Sequence, residues 1–103
     1  MRCELRNNNT GISKKVIEQI VDLAKQHNVR KLVLFGSRAR GDYRERSDID
    51  LAVYDGNCAR FSLDVDDETY TLLSYDVVDM SRPVDDELRE SIEREGIVLY
   101  EKV

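Results

Sequence analysis

The stretch "LFGSRARGDYRERSDIDLAVYD", residues 34–55, decides how this chain is read. It begins in an apolar run, breaks at Gly36-Ser37, crosses an arginine-rich segment and ends in "SDIDLAVY". A short apolar run ended by glycine reads as a buried strand, here residues 31–35. Alternation in residues 48–54 reads as a second strand. Along a strand, residues i and i+2 share a face, so Asp48 and Asp50 stand side by side with Cα atoms roughly 6.5–7 Å apart. Ile49, Leu51 and Val53 then point to the core. Two carboxylates on one face repel unless a cation lies between them, and hard oxygen ligands favour Mg²⁺ or Mn²⁺. Gly36 lets a phosphate approach the backbone, and the Ser37 hydroxyl with the amides of a following helical turn can bind its oxygens. The Gly-Lys-Ser/Thr ending of a P-loop is missing. Each feature alone also fits a bland role, a solvated strand face or a strand-ending turn.

Working outward, "SKKVIEQIVDLAKQHN" predicts a helix. Ser13 is its N-cap, Ile12 can staple onto Ile17, and Ile17, Ile20, Val21 and Ala24 form one buried stripe widened by Val16 and Leu23. Asn28 is its stop. Residues 1–12 read as a polar arm ahead of a single domain spanning 13–103. After the Asp55-Gly56 turn signal, residues 57–71 have no clean period and are read as a short helix. "LLSYDVVDM" predicts a strand over about 73–80. Pro83 opens a further helix with Leu88 and Ile92 on its apolar side and Gly96 as its stop, and "IVLYE" is a last strand. This order predicts an α/β or α+β domain with a small mixed sheet flanked by helices.

The 103 residues suit one compact domain. Hydrophobic residues make up 41% and charged residues 36%, enough for one modest core under a charged surface. The two cysteines, Cys3 and Cys58, lack metal-binding spacing; a single disulfide between them is one reading, and two reduced thiols of a cytoplasmic protein is the plainer one. The start, "MRCELRNNNTG", has no apolar core of signal-peptide length and no apolar run nears the ~20 residues of a membrane span, so a soluble, cytoplasmic protein is expected. The net charge of −5 argues against a general duplex-DNA binder. Arg38, Arg40, Arg44 and Arg46 against Asp42 and Glu45 nevertheless leave residues 38–46 at +2. A local positive field in an acidic chain suits a small anion such as a nucleoside triphosphate.

The combination "FGSRARGDYRERSDIDLAV", with Gly-Ser, ten residues and Asp-x-Asp, resembles the nucleotidyltransferase superfamily typified by DNA polymerase beta. More narrowly, it looks like the minimal nucleotidyltransferases of bacteria and archaea, and the resemblance runs over most of the chain. It implies a palm-like nucleotidyltransferase core. It also implies a third carboxylate on a neighbouring strand, for which Asp76 and Asp79 are candidates. They are three residues apart, so only one can face Asp48 and Asp50. The family sets this aspartate between hydrophobic residues, as in "YDVV", which selects Asp76. The resemblance further implies two divalent ions, Mg²⁺ or Mn²⁺, held by Asp48, Asp50 and Asp76. ATP would be the substrate, with its phosphates near Gly36, Ser37, Arg38 and Arg40. The implied reaction is transfer of AMP to a hydroxyl, on a small helical HEPN-domain toxin that this chain serves as antitoxin. The rival reading is a non-catalytic module that neutralises its partner by docking.

Overall fold

The structure, a computed structural model, describes residues 10–102. Residues 1–9 of the expected arm, with Cys3, lie outside the described residues. The elements run α1 (Lys14–Gln26), β1 (Lys31–Phe35), α2 (Ser37–Arg40), β2 (Ile49–Tyr54), α3 (Cys58–Glu68), β3 (Tyr75–Asp79), α4 (Asp86–Glu95) and β4 (Ile97–Glu101). One sheet has the order β3-β2-β1-β4. β1 is antiparallel to both β2 and β4, and β2 is parallel to β3. The parallel pair requires a crossover, which α3 supplies. This is the mixed, helix-flanked α+β sheet that the element order predicts. No helix among the described residues is long and apolar enough to cross a membrane.

Local chemistry sets these boundaries. The Ser13 hydroxyl accepts the Val16 amide at 3.2 Å, which caps α1. Its end closes as a paired turn. Val29 N donates to Ala24 O, Asn28 N donates to Lys25 O, and Asn28 takes a left-handed φ of 62°. The Asn57 side chain accepts the Arg60 amide and starts α3. Three predicted boundaries are corrected. β2 begins at Ile49 rather than residue 48, because Asp48 follows a turn in which Ser47 N donates to Arg44 O and the Ser47 hydroxyl accepts the Arg44 amide. β3 covers Tyr75–Asp79 rather than 73–80. α4 begins at Asp86, so Pro83 lies in the preceding loop instead of opening the helix.

The sheet separates two apolar clusters. On one face, α1 and α3 cover Leu32, Leu34, Ile49, Leu51 and Val53, with Ile17, Ile20, Phe61 and Val65 buried among them. On the other, a smaller group of Val33, Phe35, Ala52, Met80 and Ile92 packs with α4. Strand alternation places Asp50 on this second face, in line with Ala52. β3 forms one edge of the sheet and carries Asp76 and Asp79 on opposite faces.

Candidate active site

The site is built where β1 ends and β2 and β3 run side by side. Asp50 is the pivot. Its Cα pairs with Phe35 on one side and with Asp76 on the other. The chain leaves β1 through Gly36, which has φ 79° and ψ −157°. That left-handed φ favours glycine. A Cβ at Gly36 would also overlap the Asp50 carboxylate, so the site tolerates only a hydrogen there. The Gly36 turn and the Asp50 carboxylate are therefore closely packed.

α2 follows at once. The Ala39 and Arg40 amides turn back onto the Gly36 carbonyl at 3.1 and 3.0 Å, and Gly41 N closes the turn on Ser37 O at 2.8 Å. Ser37 is half-buried at its start. Asp48 is exposed just ahead of β2, Asp50 is half-buried, and Asp76 is exposed on the edge strand. The Asp50 carboxyl is pushed up to about 6, first by burial, then by the negative charges of Asp76 and Asp48. The Arg40 guanidinium opposes this rise. These effects identify one electrostatic neighbourhood comprising Asp48, Asp50, Asp76 and Arg40.

Asp79 lies apart. Its register partner is Val53, on the α1/α3 side of the sheet. Its carboxylate accepts the Ser81 amide and hydroxyl and is held below the usual carboxylate range by them.

Among the described residues, no three His, Cys, Asp or Glu side chains form a ready-made metal cage. The donor chemistry nonetheless fits a hard divalent cation. Mg²⁺ usually takes one or two carboxylates and completes its shell with water and substrate phosphate. Asp48, Asp50 and Asp76 supply oxygen donors on both sides of one strand junction.

The two arginines expected at the phosphates part company. Arg40 is exposed beside the carboxylates. Its Nε donates to Asp42 at 3.3 Å and its Nη1 to Glu95 at 3.1 Å. Arg38, expected near the nucleotide, points inward and is 2% exposed. Nε donates to Ser47 O, Nη1 to Thr10 O, and Nη2 to Glu45 O and Arg44 O. The Tyr43 ring covers its guanidinium, 4.6 Å from the centroid. With its donors taken by main-chain carbonyls, Arg38 clamps the 42–47 loop to α2 and sets the backbone beside Asp48. Sequence reading passes over Glu95, since a contact 55 residues from Arg40 leaves no local pattern. Gly96, which stops α4, is the nearest signal.

The family described as polymerase beta, nucleotidyltransferase matches residues 18–103. The chain is 40% identical over 68 residues to the "Putative protein adenylyltransferase MJ0604" of Methanocaldococcus jannaschii, covering 63% of this chain and 66% of that protein, just under two thirds of its length. A solved structure of a "putative minimal nucleotidyltransferase" is 31% identical, with a TM-score of 0.57, over 90% of each chain. A toxin-antitoxin crystal structure with AMP-PNP superposes with a TM-score of 0.69 over 84% of this chain and 73% of that one. At 20% identity, this last likeness shows the fold alone.

Proposed function

This chain belongs to the polymerase beta nucleotidyltransferase family, and from that premise we propose that it transfers AMP from ATP to a hydroxyl group on a partner protein. The observation that carries the reading is the placement of Asp50 between Gly36 and Asp76, with Asp48 and Arg40 in electrostatic reach. A phosphate turn, three carboxylates and a guanidinium thus share one end of the sheet.

Asp48, Asp50 and Asp76 would hold the divalent ions, Mg²⁺ or Mn²⁺. Such ions, when bound, screen the triphosphate's charge and make an acceptor hydroxyl more acidic. The chain's own groups do the rest. Gly36, lacking a Cβ, admits phosphate oxygens close to the Asp50 carboxylate. The Ser37 hydroxyl donates to them. The Arg40 guanidinium, planar and always charged, meets the phosphates from the α4 side. Asp76 stands on the open edge of the sheet, where a macromolecular hydroxyl can reach it, and accepts the hydroxyl proton. The new acceptor O–P bond forms as the bond between α- and β-phosphate groups breaks, and pyrophosphate leaves.

A protein acceptor is supported by the M. jannaschii relative, which is named as a protein adenylyltransferase. The toxin-antitoxin neighbour supports a toxin as that partner, and the resemblance of the sequence points to a small helical HEPN-domain protein. The test is co-expression with the product of the adjacent gene. Wild type should add the mass of one or more AMP groups to the partner, and the Asp48→Asn/Asp50→Asn double variant should not. If that double variant still protects cells from the partner as well as wild type, docking is sufficient and the transfer reading of its biology fails.

A further inference from the structure

We infer that Glu95 is a positioning residue for nucleotide binding, holding the Arg40 guanidinium beside the Gly36-Ser37 turn so that its Nη2 meets the triphosphate. The inference rests on the reading of this site as nucleotide-binding.

The backbone brings Glu95 there. Ile97 is paired with Leu34 in the antiparallel β1/β4 ladder. Continued two residues outward, that register sets Glu95 level with Gly36. The position is rigid, because Gly96 N donates to Ile92 O at 2.9 Å and a Cβ at Gly96 would overlap Val33 of β1. α4 therefore cannot slide along the sheet without disrupting that packing. Its last residue delivers a carboxylate to the mouth of the site.

The side-chain contacts favour a holding role. The Glu95 side chain is 20% exposed, against 65% for Asp42, so Glu95 is the more buried of the two anchors. Arg40 is gripped at two points, Nε by Asp42 and Nη1 by Glu95. Among the described residues, neither of these bonds uses Nη2. A guanidinium held at Nε and at Nη1, on opposite flanks of the group, presents the remaining Nη2 in a defined direction, which lowers the ordering cost of binding an anion. The Arg40 charge already acts on Asp50, so the held group lies within reach of the carboxylate side of the pocket. The alternative role for Glu95 is that of a competitor, neutralising Arg40 until phosphate displaces it. The two roles predict opposite effects on affinity.

The experiment measures the Kd of Mg·ATP by calorimetry on the full chain, with thermal melting as a fold control. Glu95→Ala should weaken binding about three- to fivefold, the range expected when an exposed ion pair is lost. Glu95→Gln, which keeps the Oε1 acceptor and the side-chain volume, should lose about half of that effect on a logarithmic scale and serves if the alanine variant folds poorly. In an Arg40→Ala background, Glu95→Ala should add nothing, whereas a merely structural Glu95 would still weaken binding there. Unchanged or tighter binding by folded Glu95→Gln or Glu95→Ala, or an equal loss in the Arg40→Ala background, overturns the inference alone. A wild-type chain that binds no nucleotide overturns both this inference and the function it rests on.

Discussion

The two faces of the sheet are built to different ends. The α1/α3 face is a closed apolar layer in which Ile20, Leu32, Leu34, Leu51, Val53, Phe61 and Val65 are fully buried. The α4 face has a smaller apolar patch, and it gives way at the end of β1 to Gly36, Asp50 and Asp76. The same strands serve both. Leu51 of β2 anchors one face while Asp50 arms the other. The thick layer can therefore carry the stability of the domain, leaving the thin one free to hold repelling carboxylates that stabilise nothing by themselves.

That division can be broken from either side. The largest expected effect is on the thin face. Asp50→Asn should reduce nucleotidyl transfer by about 10³-fold, equivalent to about 4 kcal/mol. The same variant should be more stable than wild type at pH 7 in the absence of divalent ions. The folded-state carboxyl of Asp50 is raised to about 6, so its ionisation is disfavoured by folding. The penalty is full above pH 6 and fades as pH falls toward the ordinary carboxylate value of 3.8. After discounting for solvent screening, a gain of about 1 kcal/mol is expected, or roughly 4–8 °C in melting temperature. The gap between the two proteins should shrink below pH 6. An Asp50→Asn chain that melts lower than wild type at pH 7 would show that this carboxylate contributes to the fold.

On the thick face, Phe61→Ala should destabilise by about 3–4 kcal/mol, from lost burial and a residual cavity. Transfer per folded molecule should stay within about twofold. Urea unfolding alongside an activity titration separates the two quantities, and a proportionate loss of both would mean the faces are coupled.

Arg38→Met tests the clamp between them. Removing the guanidinium removes its hydrogen bonds to the Ser47, Thr10 and Glu45 carbonyls and should cost about 2 kcal/mol. Hydrogen exchange should rise chiefly in the 42–47 loop. An Arg38→Met chain as stable as wild type, but unable to bind ATP, would return this arginine to the phosphates.

The smallest effects discriminate between the aspartates of β3. Asp76→Asn should lower transfer by at least tenfold, whereas Asp79→Asn should stay within about twofold, because the two side chains lie on opposite faces. The reverse pattern would move the catalytic edge to the α3 side.

Much of this was legible in the residues because it is locally encoded. α1 carries its cap, stripe and stop within sixteen residues, and the structure finds Ser13, Ile17, Ile20 and Asn28 in those roles. β1 and the Gly36 break are equally local. α3 was harder, since only Phe61 and Val65 are buried along an acidic helix, too sparse a stripe to give a clear period. Pro83 suits a helix start, but residues 81–85 turn the chain out of β3 before α4 begins at Asp86. The burial of Arg38 had no sequence signal at all. It depends on carbonyls of a loop that has to fold over α2 first. The Arg40–Glu95 contact is hidden for the same reason, being set by β4 register.

The edge position of β3 has a consequence for solubility. An exposed strand edge offers unpaired backbone groups to other chains, and charged side chains are the usual protection. Here Asp76 and Asp79 guard the two faces of that edge, around the apolar pair Val77 and Val78. Replacing both by alanine would leave a short, uncharged, β-prone edge of the kind that recruits further strands. On the mechanism proposed above, the residue that receives the acceptor's proton is therefore also one of the two charges on this edge. Any variant that neutralises Asp76 to silence the chemistry should be compared at low protein concentration, where association cannot pass for lost activity.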